Sequence, residues 1–273
     1  MERVPIRSAG GLLRVASLSY LGVMIVLPLS ALAWGAFADG LGPFVRRISD
    51  PFARHALFLT AVTALIMAVI NAVTGTLTAW VLVRYEFPGK GLMNALIDLP
   101  FAVPTVVTGV MLVALYGPTS VLGAILGEYG LGVIYEKPGI VLALLFVGYP
   151  FVIRSVQPVL LEMDRMEEEA AATLGADGWT TFRRVTLPTL RPAIVTGTAL
   201  AFSRALGEFG SVVMVAGNRP LETKTAPMYI FGEIESGNQR GAAAVSTILL
   251  AASLLILIGL NILQRRKGEN RDG

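Results

Sequence analysis

Apolar residues in this chain gather into long runs separated by short polar stretches. Six runs, approximately 15–37, 56–83, 93–116, 139–157, 190–215 and 242–264, are long enough to cross a bilayer, since about 20 apolar residues span the hydrocarbon core. The pattern predicts an all-α membrane protein in which six transmembrane helices form a single domain over 1–273. No internal repeat or low-complexity tract interrupts it. The second run is longer than the core requires, so it tilts or extends beyond the lipid. Prolines mark the weak points: Pro100 and Pro104 bend the third run, and Tyr149-Pro150 interrupts the fourth, which also carries Arg154 near its end. A proline inside a helix removes one backbone hydrogen bond, which neighbours must make good. Asp98, near the start of the third run, reads as an interfacial residue within reach of Lys90 or water.

Composition agrees with a membrane protein and narrows the chemistry. Of the 273 residues, 54% are hydrophobic and 15% charged, against about 25% charged in a soluble domain. The absence of cysteine excludes disulfides and thiolate metal ligands, and the one histidine, His55, leaves a histidine metal site or a catalytic triad without partners. The chain has no G-x-x-x-x-G-K-[ST] phosphate loop, no H-E-x-x-H helix and no G-x-S-x-G elbow. Nor is there a basic strip with interleaved aromatics of the nucleic-acid-binding kind. A subunit without its own nucleotide site, enzymatic activity or cofactor is expected, and any ATP it uses is hydrolysed elsewhere.

Basic residues set the orientation. With the amino terminus in the cytoplasm, that side holds Arg3, Arg7, Arg14, Arg84, Lys90, Arg154, Arg165, Arg183, Arg184, Arg191, Arg265, Arg266, Lys267 and Arg271. The other side holds Arg46, Arg47, Arg54, Lys137, Arg219, Lys224 and Arg240. The count is 14 against 7, with Arg204 inside the membrane. The positive-inside rule places both termini in the cytoplasm. The first run has basic residues before it, and Ala36-Phe37-Ala38 has the form of a cleavage site. Its apolar core of about 20 residues nevertheless exceeds the roughly 7–15 of a signal peptide, so it reads as a retained helix.

The polar insert 161–189 is the longest on the cytoplasmic side. Leu161 to Leu174 favours a helix, Gly175 sits where a helix ends, and Asp177 can cap a second short helix. There Trp179, Phe182 and Val185 recur at i, i+3 and i+6 to make one apolar ridge, and Pro188 ends the element. Such a pair of helices either lies on the lipid surface, with Arg183 and Arg184 at the headgroups, or docks into a groove on a soluble partner through an aromatic anchor.

Arg204 and Glu208 fall inside the fifth run, between Ser203 and Ser211. A charge at the centre of a membrane helix costs about 2.5–3.5 kcal/mol, so both must face protein, water or each other. Their i, i+4 spacing puts them on one helix face, where they can neutralise each other. Alternatively this face lines a translocation path, with Arg204 offering donors to an oxyanion, Glu208 preventing it from being trapped, and Ser203 and Ser211 adding hydroxyls nearby.

The spacing Glu169-Ala170-Ala171, three residues, Gly175, nine residues, Val185-Thr186-Leu187-Pro188 resembles the EAA loop of ATP-binding-cassette importer permeases, with Val185 in place of the usual isoleucine. The stretches Phe151–Leu160 and Arg204–Val213, with Ala216-Gly217-Asn218, are similar to the CysT (CysU) family of sulfate/thiosulfate permease subunits. The Ala205–Gly210 run is also similar to molybdate and tungstate permeases, while 216–230 favours the sulfate branch. This resemblance implies an ABC importer permease (MetI/ModB-like) fold in the bacterial inner membrane. It implies a dimeric ATPase carrying ATP and Mg, a second homologous permease (CysW-like), a periplasmic sulfate-binding protein, and no nucleic-acid partner. It makes Glu169, Ala170, Ala171, Gly175, Leu187 and Pro188 the ATPase-coupling residues, to which the aromatic reading adds Trp179 and Phe182. An ion-gradient transporter is the reading from another class, but inverted repeats around a midplane site are the mark of such folds and none is seen.

Overall fold

The computed structural model describes residues 6–269; Arg3 and Arg271 of the charge count lie outside the described residues. In chain order the elements are α1 (Ile6–Leu21), a π-helical turn (Gly22–Val26), α2 (Leu27–Phe37), α3 (Leu41–Ile48), α4 (Pro51–Arg84), α5 (Lys90–Ala102), α6 (Thr105–Tyr116) and α7 (Val121–Glu128). They continue with α8 (Lys137–Glu162), α9 (Arg165–Thr173), α10 (Gly178–Thr181), a second π turn (Phe182–Thr186), α11 (Leu187–Leu206), α12 (Gly210–Val215), α13 (Ala226–Glu235) and α14 (Gln239–Glu269). Every element is helical, as the apolar pattern requires.

Among the described residues, five helices are long and apolar enough to cross a membrane, and a sixth crossing is made if the bent pair α5–α6 counts as one. The longest bundle helix, α4, has 34 residues. At about 1.5 Å per residue it exceeds the hydrocarbon core and projects beyond it. Its start is set by Asp50, whose carboxylate accepts hydrogen bonds from the amides of Phe52 and Ala53, and by Pro51 in the first turn.

Three spans differ from the sequence expectation. The third is not one bent helix but two helices meeting at 114°. Val103, which precedes Pro104, is extended at φ −83°, ψ 129°, because a residue before proline is driven out of the α region. The fourth is not interrupted at Tyr149-Pro150: α8 continues through Pro150 and Pro158 to Glu162, packed along α4 and α11. The fifth begins and ends earlier than expected. α10, the π turn and α11 run together over Gly178–Leu206, so Pro188 lies within a continuous helix rather than ending one. Both π turns immediately precede a Leu-Pro pair, and in each the leucine amide bonds five residues back, Leu27 to Gly22 and Leu187 to Phe182.

The core is the packing of α4, α8 and α11. One cluster holds Met67, Leu144, Ala201, Leu206 and Val212; another, toward the end nearer α9, holds Leu82, Val152, Val156, Leu160 and Leu190. The first span joins through α2, where Ala36 is buried with Phe44 and Ala244. α6 lies against α12 so closely that a Cβ on Gly109 would stand 2.7 Å from both the Cβ of Met214 and the carbonyl oxygen of Ser211.

Candidate functional site: a capped polar loop and two charge pairs

The polar insert 161–189 is two short helices, each started by an aspartate. α8 ends at Glu162, and Asp164 accepts a hydrogen bond from the Met166 amide at 2.9 Å to begin α9. The single helix expected over Leu161–Leu174 is therefore broken at Met163-Asp164, since a cap residue with extended backbone starts a new helix. α9 ends at Gly175 with φ +84°. The Gly175 amide donates to the Ala172 carbonyl and the Ala176 amide to the Ala171 carbonyl, each at 3.0 Å, the pairing that closes a helix on a left-handed glycine. Asp177 then accepts from the Thr180 amide at 2.9 Å to start α10; the Thr180 hydroxyl foremost, and then this amide, hold its carboxyl below the ordinary carboxylate range.

The loop displays one face and fastens another. Glu169, Ala170, Gly175, Trp179 and Pro188 are exposed, with Ala171 and Leu187 half-buried. Trp179 leaves 68% of its surface open. Phe182 is half-buried: its ring stacks on Trp179 at 5.8 Å and meets the Trp80 ring of α4 edge-on at 5.5 Å. The ridge expected from i, i+3, i+6 spacing is thus divided, Trp179 outward and Phe182 inward. Glu168, which sequence reasoning passed over, accepts from Arg84 Nη2 and Thr186 Oγ1, both at 2.8 Å.

The second cluster lies where the fifth span breaks. Arg204 Nη1 and Glu208 Oε2 are 2.8 Å apart. The pair forms, but not along one helix: α11 stops at Leu206, and Glu208 occupies the link to α12. Its other oxygen, Oε1, accepts from the amide and the hydroxyl of Ser211, both at 3.0 Å, so the carboxylate caps α12. Glu208 is 2% exposed, whereas the Arg204 side chain is 40% exposed. Ser211 is fully buried and committed to Glu208, and the buried Ser203 hydroxyl has no hydrogen-bond partner. Of the four residues expected along a path, Arg204 alone presents a charged group to solvent.

A third cluster went unread. Arg154 of α8 donates to both Asp98 oxygens of α5, at 2.7 and 2.5 Å, to the Asn94 carbonyl at 3.0 Å and to Gln157 Oε1 at 2.6 Å. Asp98 is therefore paired with Arg154 rather than with Lys90, which bonds Glu86 in the link between α4 and α5. The tendency of charges near membrane depth to pair with each other was the available clue. Between α4, α5, α6 and α8 lies a cavity of about 750 Å³. Its lining is mostly apolar, with Asn71, Thr74, Tyr116 and a Thr78–Tyr149 hydroxyl pair 2.6 Å apart as its polar members.

A family model described as the binding-protein-dependent transport system inner membrane component matches residues 72–268. The chain belongs to this family. Members of this family are multi-pass inner-membrane transport subunits, and the apolar helices described above fit that setting. A protein of Chlorokybus atmophyticus described as a probable sulfate transport system permease protein is 46% identical, over 91% of this chain and 87% of the relative. The sulfate transport system permease protein CysT of Escherichia coli strain K12 is 42% identical, over 93% and 91%. In fold, the chain is similar to the crystal structure of a bacterial ABC transporter for the acidic polysaccharide alginate. The TM-score is 0.75, over 93% of this chain and 94% of that one, at 17% identity. The family places the chain as the permease subunit of an ABC importer, with the fold expected from the EAA-like spacing.

Proposed function

We propose that this chain is the transmembrane permease subunit of an ATP-driven importer that moves sulfate, and thiosulfate with it, across the bacterial inner membrane by alternating access. The observation that carries this reading is the identity of 42–46% over more than nine-tenths of the chain to sulfate transport system permeases. The chain contributes no catalysis. ATP and Mg reside on a dimeric ATPase that docks on the exposed face of the cytoplasmic loop: Glu169, Ala170, Ala171, Gly175 and Trp179, with Phe182, Leu187 and Pro188 holding that face in place. A second, CysW-like permease completes the path, and a periplasmic binding protein delivers the anion. Both termini lie in the cytoplasm, supported by the 14 to 7 excess of basic residues on that side. Arg204 meets the anion as it passes. Glu208 cancels much of its charge, so the ion is stabilised without being retained.

The test is uptake of radiolabelled sulfate into proteoliposomes holding this chain with its ATPase, second permease and binding protein. The expected result is ATP-dependent uptake, blocked by thiosulfate and not by molybdate, and abolished by Arg204→Gln in a complex that still assembles. Uptake of molybdate alone would overturn the substrate, and uptake without ATP would overturn the importer.

A further inference from the structure

Helix α9 has no buried residue. Core packing therefore does not hold it to the bundle, yet in the reading above it is the element on which an ATPase pulls. A polar knot makes the connection. We propose that Glu168 is the positioning residue that fastens α9 to the bundle, so that a displacement of the loop is passed to α4 and α11 instead of being lost in the connections. This inference rests on the importer reading.

Three elements meet at Glu168. Its Oε1 accepts from Arg84 Nη2 in the last turn of α4 and from Thr186 Oγ1 in the π turn that leads into α11, both at 2.8 Å. Thr186 is fully buried. The two charged side chains are only 10% and 21% exposed, so water and salt screen them little. The Arg84 guanidinium lies 5.3 Å from the centre of the Trp80 ring, and Phe182 from the loop meets the same ring. The arginine thus lies against a ring that the loop itself braces before it reaches the carboxylate. A charge-assisted bond between groups already held in place transmits displacement, where a bond between mobile surface chains would bend. Glu168 and Glu169 divide the work: Glu169 stands exposed on the docking face and Glu168 is tied inward.

The experiment uses the complete complex in proteoliposomes, with Glu168→Gln and Thr186→Val compared against Trp179→Ala. ATPase retention, ATP hydrolysis and sulfate uptake are read together. With Glu168→Gln the ATPase stays bound and sulfate moved per ATP hydrolysed falls about tenfold, a factor equal to about 1.4 kcal/mol. Thr186→Val gives a smaller fall in the same ratio. Trp179→Ala instead releases the ATPase. Exchanging the charges, Arg84→Glu with Glu168→Arg, recovers part of the ratio, because the new arginine can still donate to Thr186. An unchanged ratio in Glu168→Gln overturns the proposal, as does loss of the ATPase from that variant, which would make Glu168 a docking residue. Failure of the unmodified complex to couple uptake to ATP overturns the importer reading instead, and is seen before any variant is compared.

Discussion

Arg154 and Asp98 form a two-pronged ion pair across the contact of α8 with α5, Nε to Oδ1 at 2.7 Å and Nη2 to Oδ2 at 2.5 Å. The pair fixes α5, the first half of the broken third span, to the core while the other half, α6, follows α12. Both side chains keep appreciable solvent contact, so the pair is worth about 1 kcal/mol rather than the larger figure of a dry one. Asp98→Asn is expected to lower the thermal midpoint of the detergent-solubilised protein. The double variant Asp98→Asn/Arg154→Gln is expected to lose less than the sum of the two single changes; strict additivity would mean that the contact carries no coupling.

The two aromatics of the loop should separate by phenotype. Trp179 is exposed, and Trp179→Ala is expected to weaken ATPase co-purification with the unfolding midpoint unchanged. Phe182 touches Trp80, and Phe182→Ala is expected to cost about 1 kcal/mol of stability as well, from lost ring packing. Equal midpoints for the two variants would contradict the division of the ridge.

Two glycines are predicted to resist substitution for different reasons. Gly109→Val places a side chain where Met214 and Ser211 already lie, and overpacking of this kind costs about 2 kcal/mol. Gly175 has open space around it but a φ of +84°, so Gly175→Ala costs about 1 kcal/mol through backbone strain alone. Suppressor mutations should then arise at Met214 for the first and not for the second.

Asp39, in the link between α2 and α3, accepts from Arg47 at 2.5 Å and from Arg240 at the start of α14. The two guanidiniums, Arg47 foremost, hold its carboxyl below the ordinary value of 3.8. A depressed folded value means that the contribution to stability is complete above 3.8 and disappears as pH falls through the lower folded value. The midpoint difference between the unmodified protein and Asp39→Asn should stay constant from neutral pH down to about 5 and close in more acid solution. A difference that widens in acid would reverse the assigned sign.

Sequence alone showed an all-helical chain with apolar runs long enough to cross a membrane, because the length of such runs is set by bilayer thickness, a requirement each helix meets by itself. It located Gly175 and Asp177 because caps are local: one residue and its own amides decide them. It missed the pairings that need two distant elements. Arg154 and Asp98 were each visible, and so were Arg84 and Glu168, but nothing in their spacing says that α8 brings the first two together or that α9 folds back on α4. The end of α11 was misplaced for a related reason. Spacing of i, i+4 allows Arg204 and Glu208 to share a helix, yet the carboxylate instead caps α12, and that competing use of one side chain appears only in three dimensions.

The π turn at Phe182–Thr186 has a consequence for angular phase. It holds one residue more than an α turn, and an α-helix advances by about 100° and 1.5 Å with each residue. Between Trp179 and Arg204 the helix is otherwise regular. Because the π turn closes five residues back, it takes up that extra residue within about one turn. Shortening it by one residue would leave an α turn with the azimuth of Arg204 nearly unchanged, whereas removing a residue from the regular part of α11 would swing the arginine by about 100° while leaving the rod unbroken.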